Sequence, residues 1–320
     1  MNKSIKRSGL VNIIKTNLGM ISILFVMCIL LSCLSDVFLS SNNFITLFRQ
    51  ISNNIYIALG MALVIILGGI DLSVGSIVAM SGIISVSSIA NLGMPVPLAV
   101  LFGIAGGMLC GLINGFLIAR FKVPPFIITL AMMNIARGIS YLWTNARSIR
   151  IVNESFNAIG TGYIGALPLP IVYSIVLIAI FSFLLNKTRF GTYVYAIGGN
   201  REAARLSGIP IKKVTIAVHT ISATMAAFAG VVLAARMYSG QPSVGEGYEM
   251  DAITACVLGG ISMSGGVGSI SGLFFGAVVI GVISNGLNLC NVSSYWQLVV
   301  KGIIVAIAII FDKLKNRQGD

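Results

Sequence analysis

The sequence predicts an all-α integral membrane protein with about ten transmembrane helices. Of its 320 residues, 57% are hydrophobic and 9% are charged, and its mean hydropathy is +0.97. Soluble domains carry about 25% charged residues, and a chain of this size could not bury so much apolar surface in a water-soluble core. Long apolar segments also recur along the whole chain. Lipid is therefore the expected solvent for most of it.

The predicted helices are apolar segments of roughly the length that crosses hydrocarbon, about 20 residues. They lie at 18–40, 51–69, 73–91, 95–119, 124–144, 168–186, 214–237, 250–263, 267–290 and 295–312. The segment 250–263 is short, so a re-entrant piece is the alternative there, and eight spans is the alternative count. The first segment follows a basic stretch, as in a signal peptide, but it lacks a small-residue cleavage motif and reaches a spanning length. It is expected to be retained.

The basic residues predict the orientation. Fifteen of the 21 lysines and arginines fall in segments 1–17, 120–123, 187–213 and 313–320. Because basic residues concentrate on the cytoplasmic side, both termini are expected inside. The predicted organisation is a cytoplasmic segment 1–17, a transmembrane domain 18–312 and a cytoplasmic tail 313–320. The net charge of +12 is spread over these clusters without a patch of interleaved aromatics, so no nucleic-acid partner is expected.

Glycines in two predicted spans repeat every fourth residue, which places them on one helix face. The repeats are Gly103, Gly107, Gly111 and Gly115, and then Gly268, Gly272 and Gly276. Small residues on one face let membrane helices approach closely, so both ladders predict glycine-rich helix packing.

Polar residues are rare in the predicted spans, and they usually face protein or a water-filled path. Candidates for a substrate path or a helix break are Asp71, Asn114, Asn134, Arg137 and Asp251. Asp71 either has an intramembrane role or caps the helix that starts near Ser73, and the two roles are compatible. The spacing of Asn134, Arg137 and Tyr141 puts them on one helix face. They either line a path or bridge helices, and bridging is the prediction for any single one.

The sequence gives little support for a catalytic site or a metal site. The five cysteines form no CxxC pair, and His219 is the single histidine, so no metal site is predicted. No pair of nucleophile and base is evident, and neither an enzyme nor a cofactor in this chain is expected. Asp71 and Asp251 leave an intramembrane aspartyl protease as a remote alternative. An ion-gradient-driven secondary transporter of a small polar solute is the nearer alternative, because it needs ionisable groups in the membrane.

The cytoplasmic loop 187–213 carries six basic residues and a predicted short helix. Asn200 is a good helix cap, and Gly208 followed by Pro210 is a typical helix stop. Such a helix on a loop is either a docking element for a partner or part of a charged anchor.

Three separated blocks resemble ATP-binding-cassette importer permeases. Glu202-Ala203-Ala204 followed by Gly208 resembles the loop that docks into the ATPase subunit. The segment 69–75 (Gly-Ile-Asp-Leu-Ser-Val-Gly) and the segment 247–260 are similar to motifs of the ribose and galactoside branch. The resemblance runs over nearly the whole chain. Met250 departs from the leucine that is commoner in the family, and segment 145–167 matches no motif.

The resemblance implies a type II-like importer permease in a bacterial inner membrane. Two permease chains, expected to be a homodimer, would form the path for a monosaccharide, with ribose favoured and galactose, xylose or a related sugar as alternatives. A partner ATPase carrying ATP and Mg would dock on Arg201, Glu202, Ala203, Ala204, Arg205 and Gly208. An extracytoplasmic sugar-binding protein would meet the outer loops, including Arg147, Arg150 and segment 238–249. The chain has no Gly-Lys pair and hence no phosphate-binding P-loop of its own.

Overall fold

The computed structural model describes residues 18–317, which fold into α-helices joined by short connections and two small β-ladders. The predicted N-terminal segment 1–17 lies outside the described residues. The helices are α1 Leu18–Leu34, α2 Ser41–Ile66, α3 Val74–Ala90, α4 Val96–Phe121, α5 Pro125–Thr144, α6 Glu154–Thr161, α7 Leu169–Lys187, α8 Arg189–Gly199, α9 Arg201–Leu206, α10 Ile211–Met237, α11 Tyr248–Leu258, α12 Ile270–Leu289 and α13 Ser294–Arg317.

Six of these helices are long and apolar enough to cross a membrane: α2, α4, α5, α7, α10 and α12. Helices α1 and α3 and the first part of α13 are apolar but shorter, and α11 has 11 residues. The mostly helical membrane architecture is therefore confirmed, whereas ten spans remain a prediction. Helix α3 nearly fills its predicted span 73–91, whereas α11 begins at Tyr248 and ends at Leu258, five residues before the end of its predicted span 250–263.

Several predicted bounds need correction. Helix α2 begins at Ser41 rather than at residue 51, because the Ser40 side chain caps it by accepting a hydrogen bond from the Asn43 amide at 3.3 Å. Asn43 is buried and its side chain pairs with Asn285. The prediction from hydropathy left this first turn out of the helix because its residues are polar. At the other end of the chain, α13 continues to Arg317, so part of the predicted tail is helical.

The core is built around α2, whose apolar stretch is 83% buried. Helices α7, α10, α11 and α12 pack around it, and α3 and α4 pack on the other side of α10. By contrast, only 22% of the apolar stretch of α5 and of α7 is buried. These outer helices turn large apolar side chains away from the chain, as expected of surfaces that meet lipid or another membrane subunit.

The first glycine ladder is confirmed as a packing surface. A Cβ at Gly107 would lie 2.5 Å from the Cβ of Ala227, and one at Gly115 would lie 2.7 Å from the Cα of Ile216. The ladder thus lets α4 approach α10 closely. The second ladder is only partly helical, because Ser269 caps α12 and leaves Gly268 before it. Its two helical members, Gly272 and Gly276, lie against the backbone of the α11 end.

Two short antiparallel ladders tie the connections together. Strand β1 (Ile149–Arg150) pairs with β4 (Ser239–Gly240), and β2 (Tyr163–Ile164) pairs with β3 (Leu167–Pro168). The β1–β4 pair joins the connection after α5 to the connection after α10. Helix α6 lies between β1 and β2, in the stretch where the sequence showed no motif.

Candidate functional site

The loop 187–213 contains two consecutive helices, α8 and α9, joined through the single residue Asn200. The Asn200 side chain caps α9 by accepting a hydrogen bond from the Ala203 amide at 2.9 Å, as the sequence predicted. Helix α8, which was not predicted, packs against α2, α7 and α10. The short helix is therefore connected to a second helix that packs against the central helix α2.

Gly208 ends α9 in the left-handed conformation, with φ +77°. The Ile209 amide donates to the Ala204 carbonyl at 3.1 Å, and the Gly208 amide donates to the Arg205 carbonyl at 3.0 Å. This closing pattern is typical of a glycine helix stop. A Cβ at Gly208 would meet nothing within 4 Å, so any side chain there is opposed by backbone conformation and not by crowding.

Helix α9 presents most of its side chains to solvent. Ala204 is buried and anchors it, while Arg201, Glu202, Ala203 and Arg205 are exposed. The Arg205 Nε lies 3.1 Å from both carboxylate oxygens of Glu202. Both side chains are about two-thirds exposed (66% and 65%), so their pair adds little stability and is free to exchange partners.

Leu206 is a surface feature that sequence reasoning missed. Its side chain is 78% exposed at the end of α9, between the exposed residues Arg205 and Ser207. A cleft of about 910 Å³ lies beside the helix, and basic residues dominate its polar lining: Lys122, Arg201, Arg205, Lys212 and Lys213. The lysines and arginines of this cleft are suited to a partner that carries acidic groups.

Asp71 lies fully buried between α2 and α3 and joins three elements. Its Oδ1 accepts hydrogen bonds from the Ser73 amide at 3.0 Å and the Ser73 hydroxyl at 2.6 Å, in the turn just before α3. Its Oδ2 accepts from the Ser222 hydroxyl of α10 at 3.0 Å. Asn114 of α4 donates to the Ser73 hydroxyl at 3.1 Å. Asp71 and Asn114 thus hold the break between α2 and α3 against two other helices.

The polar residues predicted to share one face of α5 have different surroundings. Arg137 donates to the Pro242 and Val244 carbonyls of the connection before α11, the latter at 2.8 Å, so it does bridge elements. Asn134 is exposed and donates to the Leu130 carbonyl of its own helix. The expectation that this residue bridges helices is therefore wrong within one chain. The helical period placed the residues on one face correctly but could not tell which part of that face is covered.

Asp251 and Lys301 form an ion pair at 2.8 Å that joins α11 to α13. Both side chains are largely buried, with 15% and 24% exposed. Lys301 was not predicted as a partner, because nothing in the sequence links positions fifty residues apart. The two candidate aspartates have separate partners on different elements, and this arrangement does not resemble a protease dyad that shares a proton.

Arg147 and Arg150 are exposed in the connection after α5. Because β1 pairs with β4, Arg150 lies opposite Ser239. The two segments predicted to form one outer surface thus meet at this ladder. Only the first part of segment 238–249 lies there, since Gly245 and Glu249 reach Gly75 of α3.

Comparison with known proteins matches residues 43–309 to the family described as "Branched-chain amino acid transport system / permease component". The chain belongs to this family. It is 43% identical over 295 residues to the ribose import permease protein RbsC of Bacillus subtilis, covering 92% of this chain and 91% of the relative. It is 40% identical over 298 residues to RbsC of Escherichia coli K12, covering 92% of each chain.

A third relative is the L-arabinose ABC transporter permease protein AraH of Azospirillum brasilense, 38% identical over 304 residues, covering 94% of this chain and 88% of the relative. No solved structure matches the chain. The resemblance found in the sequence blocks is confirmed, and the chain is a multi-pass membrane permease component.

Proposed function

We propose that this chain is the membrane-spanning permease subunit of an ATP-driven importer for a monosaccharide, with ribose as the first candidate. The observation that carries the proposal is the similarity to ribose import permeases over about nine-tenths of both chains. The family description names branched-chain amino acids, but the relatives named above are ribose and L-arabinose permeases. L-Arabinose is accordingly the second candidate, with galactose and xylose after it.

Energy would come from a separate ATPase that docks on α9. The exposed Arg201, Glu202 and Arg205, with Leu206 beside the basic cleft, support this placement. ATP and Mg would then belong to the partner and not to this chain.

The path would run along the polar side of α5, between two copies of the chain. Asn134 is exposed there, and Tyr141 OH lies 3.5 Å from an oxygen of the exposed Glu246. Polar groups are costly against lipid, so they need a water-filled space or another subunit. A second copy across this face would supply the opposite wall.

The outer surface around β1 and β4 would receive an extracytoplasmic sugar-binding protein. Arg147 and Arg150 lie exposed at this ladder, and basic residues on an outer surface run against the usual orienting bias. Complementary charge would set the orientation and the association rate of the partner. Unchanged association after Arg147→Glu together with Arg150→Glu would remove this role.

The test is uptake by proteoliposomes that contain the chain with its ATPase and binding protein. ATP-dependent accumulation of radiolabelled ribose, above that of arabinose, galactose, xylose and leucine, is the expected result. Preferred uptake of leucine would overturn the sugar assignment. Uptake driven by an ion gradient without ATP would favour the secondary transporter instead.

A further inference from the structure

Three backbone segments touch at the end of α2 that lies next to loop 187–213. The Gly266 amide, in the connection between α11 and α12, donates to the carbonyl of Ile66, the last residue of α2, at 2.8 Å. A Cβ at Gly198, near the end of α8, would overlap that same carbonyl oxygen and lie 2.6 Å from the Gly266 nitrogen. We call Ile66, Gly198, Gly265 and Gly266 the glycine junction.

Gly265 and Gly266, in the connection between α11 and α12, lie equally close to the backbone of α8. A Cβ at Gly265 would lie 2.9 Å from the Gly198 oxygen and 3.1 Å from the Cα of Gly68. One at Gly266 would lie 2.7 Å from the Cα of Gly199. Backbone therefore lies on backbone, with no side chain between that could change rotamer and absorb a displacement. Such a contact transmits motion stiffly.

A side chain one turn earlier in α8 strengthens the link. The Tyr195 hydroxyl donates to the Gly268 carbonyl, just before α12, at 2.9 Å. Burial raises the pKa of Tyr195, so the hydroxyl stays protonated and able to donate. Helix α8 thus contacts the connection between α11 and α12 at two places along its length, at Tyr195 and at Gly198.

We propose that the glycine junction couples the docking helix to the membrane helices. A push on α9 reaches α8 through the single residue Asn200, and α8 bears directly on the ends of α2 and of the connection before α12. Helix α2 is central, and the Asp71 network follows it within a few residues. This inference rests on the proposed function, because it requires an ATPase that acts on α9. Gly198, Gly266 and Tyr195 are positioning residues in this scheme.

Neighbouring glycines of α8 provide a matched test. Gly198→Ala must displace the Ile66 carbonyl, whereas a Cβ at Gly199 meets nothing within 4 Å. Each variant is reconstituted with the ATPase and the binding protein, and ATP hydrolysed and sugar imported are both measured. Gly198→Ala is expected to co-purify with the ATPase and to hydrolyse ATP, while sugar imported per ATP falls by about tenfold. Gly199→Ala is expected to match the wild type.

The outcomes separate the two proposals. Normal import per ATP in Gly198→Ala, or an equal loss in Gly199→Ala, would overturn the junction while leaving the importer assignment intact. Failure of the wild-type chain to bind the ATPase would overturn both. If Gly198→Ala does not insert, Tyr195→Phe decides, since it removes one hydrogen bond without adding an atom that must be accommodated. A lowered ratio of sugar to ATP is expected for it, and an unchanged ratio would refute the coupling role.

Discussion

The Asp71 carboxylate accepts a hydrogen bond from the Ser222 hydroxyl at 3.0 Å, which joins the break between α2 and α3 to the middle of α10. Asp71 is fully buried and also accepts from the amide and hydroxyl of Ser73. The Nδ1 atom of His219, one turn before Ser222, lies 4.0 Å from the Oδ2 atom of Asp71, which is beyond hydrogen-bond distance. The carboxylate is thus an acceptor shared by several donors.

Asp71→Ala is expected to destabilise the purified protein. It removes the shared acceptor and leaves buried donors unsatisfied, each at a cost of about 1–3 kcal/mol. Asp71→Asn keeps an acceptor oxygen and should lose less. The thermal midpoint in detergent is the measurement, with Asn134→Ala as the control at an exposed position. An unchanged midpoint in Asp71→Ala would mean that the network does not hold the break.

The Asp251–Lys301 pair is expected to hold α13 against α11. Removing one partner of a largely buried pair leaves the other charge uncompensated. Lys301→Ala and Asp251→Ala should therefore lower the yield of monodisperse protein, and the swapped pair Asp251→Lys with Lys301→Asp should recover part of it. Asp36→Ala, at an exposed acid outside the helices, serves as the control. A swapped pair as poor as both single variants would argue against a direct charge interaction.

Cysteine accessibility tests the polar side of α5. A cysteine in place of Asn134 in a background without the native cysteines should react quickly with a small charged thiol reagent. Ile135 is also exposed, with 53% of its side chain accessible, but it points to a different part of the helix surface. A cysteine there should react slowly, because lipid excludes charged reagents. Equal rates at the two positions would contradict a water-filled path along Asn134.

The sidedness of the loops can be measured in the same background. Val152 is 95% exposed in the connection after α5, and Arg201 is exposed at the start of α9. A cysteine at Val152 should label with a membrane-impermeant reagent in intact cells, and one at Arg201 should label only after permeabilisation. This follows from the concentration of basic residues in loop 187–213. The reverse pattern would invert the orientation and place α9 out of reach of a cytoplasmic ATPase.

Local signals explain which features the sequence predicted. The cap at Asn200 and the stop at Gly208 depend on side chains and backbone conformations within a few residues, so they were predictable. The Asp71–Ser222 bond joins positions 151 residues apart, and nothing local encodes it. The close approach at Gly198 was equally hidden, because a glycine near a helix end is expected there with or without a tertiary contact.

The central claim is that α9 transfers the energy of ATP hydrolysis, and Gly208 tests it most directly. Its φ of +77° is costly for a β-branched residue and tolerable for asparagine. The measurement is sugar uptake together with sugar-stimulated ATP hydrolysis in reconstituted complexes. Gly208→Val is expected to insert normally yet lose both activities, Gly208→Asn to keep most of them, and Glu202→Ala to show a milder loss. Wild-type uptake and stimulation in Gly208→Val would contradict the claim and leave loop 187–213 as a charged anchor.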